Sequence, residues 1–304
     1  MNDTIVIGGS GFIGQAIQRS VRKEGRENDF TFGYNKHPEN IISGMKKIMV
    51  EQKSEKNRVI SNFETAIYVA GNVHPSFKEV PRPNDQNYDV ELFMNFATQF
   101  RGALVLLSSQ SVYYGLEGCV HESIDHVPDS PYGVSKQTVE SHAKFLLDKG
   151  HLSKLWISRL MYAFGKGERE QRLVPQCANV RKNKGVLKVF GNGCSYLNPL
   201  PVDFVADSLL RATAHLSEET MGYANIVNIN HPKRITTAEV VRYLASVRPF
   251  DYEHVEIGEK YPVRFWGDTS KLSSHLKCWG MRYPDPYEEL KKYFLKLTEG
   301  DERE

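Results

Sequence analysis

Near its start the chain reads Thr4-Ile5-Val6-Ile7, then Gly8-Gly9-Ser10-Gly11-Phe12-Ile13-Gly14, then Ala16 to Val21 at helical spacing. A β-branched run, a cluster of glycines and an amphipathic segment, in that order, predict strand, tight turn and helix. The glycines fit both Gly9-x-Gly11-x-x-Gly14 and Gly8-x-x-Gly11-x-x-Gly14. They let the backbone turn sharply, approach a pyrophosphate and pack helix against strand, with the phosphates at the helix N-terminus. Such a unit commits the N-terminal half to a parallel α/β sheet with helices on both faces.

The second strand is expected over Phe30 to Tyr34, ending in Tyr34-Asn35-Lys36-His37. A site for NAD usually carries an acidic residue near that strand end to hold the ribose hydroxyls. Here there is no carboxylate, and Lys36 is available to a 2′-phosphate, which favours NADP over NAD. A further buried strand is expected over Ala66 to Gly71. The loop after it, Asn72 to Pro83, then lies at the carboxyl edge of the sheet, where His74 and Phe77 could line a cleft. Asn87 to Phe100 reads as a helix and Ala103 to Leu107 as the next strand.

That strand delivers Ser108-Ser109-Gln110-Ser111-Val112-Tyr113-Tyr114-Gly115, and Ser130-Pro131 then opens a helix carrying Tyr132-Gly133-Val134-Ser135-Lys136. Residues four apart on a helix share a face. A tyrosine hydroxyl titrates near about 10 when unperturbed. A lysine one turn away favours its anion, and the phenol can then exchange a proton with a substrate carbinol. The set divides the work among three side chains: Ser109 hydrogen-bonds the reacting oxygen, Tyr132 exchanges the proton, and Lys136 tunes the tyrosine and holds the nicotinamide ribose. A non-catalytic dinucleotide-sensing module on the same fold would be marked by loss of the Tyr or the Lys. Both are present.

Composition excludes several partners. The formal net charge is +2, from 39 basic and 37 acidic residues spread along the chain, so charge makes no case for nucleic acid or a membrane surface. Cys119, Cys177, Cys194 and Cys278 stand far apart with no Cys-x-x-Cys, so neither a metal site nor a disulfide framework is expected. No membrane span or signal peptide is read at the N-terminus, and a cytoplasmic location is expected.

On these motifs the chain resembles the extended short-chain dehydrogenase/reductase superfamily, in particular its NAD-dependent epimerase/dehydratase family of largely nucleotide-sugar enzymes. The resemblance rests on the Gly8 to Gly14 turn, Ala66 to Gly71, Asn87, the Ser108-Ser109 strand end with its Val-Tyr, Ser130 to Lys136, and Arg159-Leu160 ahead of Phe164-Gly165. Gly191-Asn192-Gly193, Val202 to Asp207 and Asp268-Thr269-Ser270-Lys271-Leu272 extend it. It implies a Rossmann doubly wound parallel sheet with a smaller, discontinuous C-terminal substrate domain. It also implies an epimerase or ketoreductase moving hydride at a ring carbon of a nucleotide sugar; a reductase of another small carbonyl substrate is the alternative. The residues expected at the dinucleotide are Gly8, Gly11, Phe12, Ile13, Gly14, Asn35, Lys36, Ala70 and Gly71, with Tyr132 and Lys136. Those expected at the substrate are His74, Ser111, Arg159 and Arg264.

Two departures from the family narrow the reading. An extra tyrosine makes the count back from Tyr113 select Ser109, whereas the count from Tyr114 selects Gln110; Ser109 supplies the expected hydroxyl, with Ser111 as the fallback. The family's dehydratases carry an Asp-Glu pair after the catalytic hydroxyl residue and its decarboxylases a Glu two places on. Gln110 and Ser111 supply neither, which argues against both reactions. The second departure is Leu197, which stands where related enzymes often have an arginine that clamps the substrate diphosphate. Lys188, Arg172 or Arg264 could compensate.

The nucleotide-binding domain is expected over 1–165 and 223–246, the substrate domain over 166–222 and 247–296, and a disordered tail over 297–304. Ile157 to Leu160 and Ile226 to Asn230 read as sheet strands, and Thr236 to Val247 as a helix with a start signal. Relatives dimerise through the helices matching Asn87 to Phe100 and Tyr132 to Lys149. Apolar Leu92, Phe93, Phe96, Val139, Phe145 and Leu146 on more than one face make a homodimer the expectation.

Overall fold

The computed structural model describes residues 3–50, 60–71, 83–256 and 263–299. In chain order the first half runs β1 (Thr4–Ile7), α1 (Phe12–Lys23), β2 (Phe30–Tyr34), β3 (Lys46–Met49), β4 (Thr65–Tyr68), α2 (Pro83–Ala97), β5 (Ala103–Ser109), β6 (Glu117–Val120), α3 (Pro131–Asp148) and β7 (Lys154–Leu160). The second half runs β8 (Ala163–Phe164), α4 (Leu173–Lys182), β9 (Val186–Phe190), β10 (Leu200–Pro201), α5 (Val202–Glu218), β11 (Ala224–Ile229), α6 (Thr237–Val247), β12 (Asp251–Val255), β13 (Arg264–Gly267), α7 (Ser270–Cys278) and α8 (Pro286–Thr298).

Seven of these strands form one sheet in the order β11-β7-β5-β4-β1-β2-β3, and every pairing in it is parallel. Chain order reverses between β1 and β4, so the crevice beyond their carboxyl ends is the topological switch point. Alternation along β1 explains why both faces are covered. Val6 joins a core under α1, α5 and α7, while Ile5 and Ile7 join a second core under α2 and α3. Each fully buried side chain of this kind contributes about 1.5–3 kcal/mol on leaving water. The edge strand β3 had no counterpart in the sequence reading. Its Lys46-Lys47-Ile48-Met49 is mostly exposed, and such a strand lacks the apolar run that marks its neighbours.

A third core gathers Phe164, Val174, Cys177, Leu187, Val241, Leu244, Leu290 and Phe294 from α4, β9, α6 and α8. This redraws the expected division of the chain. Helix α5, expected with the smaller domain, buries Val205, Leu209, Ala212 and Leu216 against the sheet and α1. Helix α6, expected to return to the nucleotide-binding part, packs into the third core. Both follow from which face of each helix is apolar, a matter periodicity alone leaves open. The start of α6 is as read: Thr236 and Glu239 form a reciprocal capping box.

The expected disordered tail also begins too early. Helix α8 continues through Thr298, which is 1% exposed, and its carbonyl accepts a hydrogen bond from Arg248 at 2.9 Å. A buried threonine anchored at both side chain and backbone holds the last turn, although the surrounding glutamates suggest solvent.

Strands β6 and β13 form a separate parallel pair, with Cys119 opposite Trp266 and Val120 opposite Gly267. No metal site is expected from the spacing of motifs along the chain. This pairing gathers Cys119, His121 and Asp268, whose ligand atoms lie within 4.8 Å of one another. Motif spacing could not find the cluster because Asp268 comes from the far end of the chain.

Candidate active site

The glycine turn sits at the switch point. Gly8 has φ +89°, and a Cβ there would lie 2.7 Å from the Ala70 nitrogen, so the turn requires glycine both by conformation and by close approach to the chain leaving β4. A Cβ on Gly14 would lie 2.3 Å from the Gly8 carbonyl oxygen, which fixes how closely α1 docks on the turn. Helix α1 begins at Gly11 with no side-chain cap, which leaves its first amides to a ligand from outside the helix. Ile13 is buried and Phe12 packs at the core edge. Asn35 and Lys36 follow β2 and are exposed. This uncapped, glycine-lined cradle fits the pyrophosphate of a dinucleotide, with Asn35 and Lys36 at the strand end where an adenosine ribose would lie.

The residues expected to be catalytic come from two elements that pack directly together. Ser109 ends β5, and its hydroxyl oxygen accepts the Ser111 amide at 3.1 Å, capping a short 3₁₀ turn over Gln110–Tyr113. Helix α3 starts at Ser130, whose side chain accepts the Gly133 amide at 3.0 Å. A Cβ on Gly133 would stand 2.4 Å from the Ser111 carbonyl oxygen, so this glycine lets the turn rest on the first turn of the helix. Tyr132 and Lys136 lie one turn apart, with the ammonium 5.5 Å from the phenol ring centroid. The Ser111 hydroxyl is buried without a hydrogen-bond partner among the described residues. A buried unsatisfied hydroxyl beside a cleft is a natural contact for a ligand.

Lys136 has a partner the sequence reading missed. Its Nζ lies 3.0 Å from an Asp89 carboxylate oxygen, with both side chains less than a tenth exposed. It also lies where a Cβ on Gly71 would fall 2.7 Å away, which puts the ammonium against the chain leaving β4. Burial pushes this lysine down, but Tyr132 and Asp89 together with Glu140 more than offset it and hold the ammonium above its ordinary range. The available signal was an acidic residue at a helix position facing the sheet; its distance from Lys136 in sequence hid the pairing.

The structure does not place Arg159 in the cleft. Its guanidinium is buried, donating to the Glu140 carboxylate at 3.0 and 2.7 Å, to the Tyr113 hydroxyl at 2.8 Å and to the Glu122 carbonyl at 3.1 Å. Ser108 donates to the same carboxylate at 2.6 Å. With these partners Arg159 is a core residue beneath the turn, and its expected substrate contact is corrected accordingly. Tyr113 belongs to that network too: it donates to Asn228 at 2.8 Å, and burial first of all pushes its hydroxyl up to about 12. Gln110 is also enclosed, its amide nitrogen 2.6 Å from the Asn230 side-chain oxygen. It offers no acid or base.

Tyr114, by contrast, lies near Tyr132 of α3. Burial raises its hydroxyl, the neighbouring Tyr132 adds to the rise, and Arg172 opposes it. Arg172 lies 4.2 Å over the Tyr162 ring and 3.5 Å from Glu168, an acid that burial raises above its usual range. Of the cations expected to replace the missing arginine, Arg172 is thus the one whose charge is felt at Tyr114. Arg264 is exposed and paired to Glu117 at 2.9 Å, and Lys188 is exposed on β9. Leu197 packs against the third core. His74 and Phe77 lie outside the described residues.

The expected interface helices are mostly explained by internal packing. Phe93, Phe96, Val139 and Leu146 are buried in the second core, while Val134 and Phe145 remain 43% and 55% exposed on α3. Gln137, Thr138, Ser141 and His142 line a shallow groove beside Phe145. No helix among the described residues is long and apolar enough to cross a membrane.

Comparison with known proteins follows the same outline. Residues 4–229 match the model of the NAD dependent epimerase/dehydratase family. A search of curated protein sequences finds no match. Among solved structures, MoeE5 in complex with UDP-glucuronic acid and NAD is 22% identical, with 98% of this chain and 99% of that chain covered and a TM-score of 0.80. UDP-glucose 4-epimerase from Thermotoga maritima, solved with UDP-glucose, is 18% identical over 98% and 99% of the two chains, with a TM-score of 0.81. DesIV, a dTDP-glucose 4,6-dehydratase from Streptomyces venezuelae solved with NAD and TYD bound, is 16% identical over 98% and 97%, with a TM-score of 0.82. At these identities the likeness is one of fold.

Proposed function

Because the chain belongs to the NAD dependent epimerase/dehydratase family, we propose that it is an NAD(P)-dependent epimerase or ketoreductase acting at a ring carbon of a nucleotide sugar. The observation that carries this reading is the helix turn shared by Tyr132 and Lys136, docked through Gly133 on the turn that follows Ser109. Tyr132 gives a proton to, or takes one from, the substrate carbinol, and the Ser109 hydroxyl hydrogen-bonds the reacting oxygen. Ser111, with its unsatisfied hydroxyl, contacts the substrate beside it. Lys136, pinned by Asp89, presents a fixed positive charge to the phenol and to a ribose.

Gly8, Gly11 and Gly14 cradle the pyrophosphate, the Phe12 and Ile13 amides lie at the start of α1, and Ala70 and Gly71 line the opposite side. When bound, the nicotinamide supplies the hydride acceptor and donor. MoeE5 is solved with NAD, and Lys36 at the end of β2 keeps NADP as the other dinucleotide for this chain. Arg172 replaces the clamp arginine whose place Leu197 takes, and it meets the diphosphate of the substrate. The Leu197 position also favours a second reading, a reductase of a small carbonyl compound without a diphosphate. A second copy covers the exposed α3 face around Val134 and Phe145, so that Phe145→Glu gives a monomer by sedimentation if the chain is a homodimer.

The deciding experiment incubates the protein with UDP-, dTDP- and GDP-sugars and follows them by NMR with and without added NADH or NADPH. Inversion at a ring carbon without net cofactor oxidation identifies an epimerase; stoichiometric oxidation identifies a ketoreductase. Turnover of simple carbonyl compounds alone supports the second reading, and no turnover of either class overturns both.

A further inference from the structure

We propose that Cys119, His121 and Asp268 form a binding site for a zinc-class divalent cation that clips strands β6 and β13 together. Cys119 lies within β6 and His121 two residues on, so both side chains project from one face of the strand. The parallel partner sets Trp266 opposite Cys119, and the Asp268 amide donates to the Val120 carbonyl at 2.8 Å, which brings Asp268 alongside His121. Strand register alone therefore assembles three donors of three chemical types.

The three ligand atoms lie within 4.8 Å of one another, near enough to close around one cation. Cys119 Sγ is 3.9 Å from Asp268 Oδ2, and His121 Nδ1 is 3.8 Å from Asp268 Oδ1. With bonds of about 2.0–2.3 Å, neighbouring ligand atoms around zinc stand roughly 3.3–3.7 Å apart. Small rotations of Cys119 and His121, both exposed, cover the difference. Asp268 needs none, because its Oδ1 accepts the Ser270 amide at 2.9 Å and the carboxylate is held in place.

Donor chemistry selects the metal. A thiolate, an imidazole and a carboxylate suit zinc and its borderline neighbours, whereas magnesium and calcium require oxygen ligands. A bound thiolate and carboxylate would together balance the cation's charge. Three protein ligands leave a fourth position for water. The consequence reaches the catalytic region through Gly267, where a Cβ would lie 2.6 Å from both the Gln110 and Asn230 side chains. A cation at the end of β13 thus braces the segment that lies against the residues below the catalytic turn.

The test uses the purified full chain, stripped of metal and titrated with Co²⁺ and Zn²⁺. One equivalent of Co²⁺ should give tetrahedral d–d bands with a thiolate charge-transfer band, and Zn²⁺ should displace it and raise the melting temperature. Cys119→Ser should abolish the charge-transfer band, and His121→Ala and Asp268→Asn should each weaken Co²⁺ binding at least tenfold. Cys194→Ser and Cys278→Ser should change nothing. Failure of the wild-type chain to bind one equivalent, or a thiolate band that survives Cys119→Ser, overturns the site.

Discussion

The Lys136 ammonium lies 3.0 Å from the Asp89 carboxylate in a nearly fully enclosed pair. A lysine placed one turn from Tyr132 thus carries its own counter-charge, supplied by α2. Burial pushes Lys136 down, while Tyr132, Asp89 and Glu140 raise it, and the balance leaves it above its ordinary value. A raised lysine contributes stability that is fully present below its unfolded value and lost as pH rises through the folded one. Asp89→Asn removes one raising partner. The alkaline limbs of both kcat/KM and thermal stability should therefore move to lower pH, measured as paired profiles of variant and wild type. Limbs that coincide with those of the wild type would show that Asp89 does not hold the lysine.

Tyr132→Phe deletes a hydroxyl and leaves the ring, its contact with Lys136 and the helix unchanged. Loss of a positioned proton donor lowers turnover by about 10²–10⁴-fold. Dinucleotide affinity, measured by fluorescence or calorimetry, should stay within a few fold of wild type. Full turnover in this variant would remove Tyr132 from the mechanism.

Lys36 is exposed where β2 ends, so its replacement perturbs little of the core. Lys36→Asp should weaken NADP binding, because a carboxylate repels the 2′-phosphate, and should favour NAD by offering an acceptor to the ribose hydroxyls. The ratio of the two dissociation constants, compared with that of the wild type, reads this directly. An unchanged ratio means Lys36 does not face the adenosine ribose.

Arg159 is the ion-pair partner of Glu140, whose side chain is 1% exposed. Arg159→Leu strands that carboxylate in the core, a change that costs about 3–5 kcal/mol when one partner of a buried pair is removed. Urea unfolding should show the loss, while a folded fraction recovered at low temperature should keep its substrate KM. A raised KM at unchanged stability would restore the substrate role that the residue's motif suggested.

How legible each part was follows from how local its cause is. The glycine turn, the Ser130 cap and the Tyr132–Lys136 spacing are short-range patterns, and each specifies its element without reference to the rest of the chain. The helix exchange between cores was not legible, since α5 and α6 are both amphipathic and only tertiary packing decides which core each covers. The same limit applies to charge. Arg159 read as an available polar group and Asp89 drew no notice, yet each is spent on a partner brought in from another element. Ser109 and Ser111 could be separated only by their hydrogen bonds: the first caps a turn, and the second has an unsatisfied hydroxyl.

His275 provides a test of how the sheet face under α5 and α7 responds to acid. Its ring sits between Trp156, 4.7 Å away edge-on, and Trp279, stacked at 5.3 Å, with His215 at 5.2 Å. Burial lowers its pKa from 6.5 to about 4, and the positive charges of His215 and Lys271 add to the fall. The folded ring is therefore neutral over a range in which the unfolded chain binds a proton. Stability is fully present above about pH 6.5 and declines as pH falls toward about 4, because the unfolded state takes up more protons in that window. His275→Gln removes this titration, so the drop in melting temperature between pH 7 and pH 4.5 should be smaller in the variant than in the wild type. Tryptophan fluorescence should follow the same transition, since Trp156 is only 1% exposed and loses its packing when α7 loosens. Equal acid sensitivity in the two proteins would place the titrating group elsewhere.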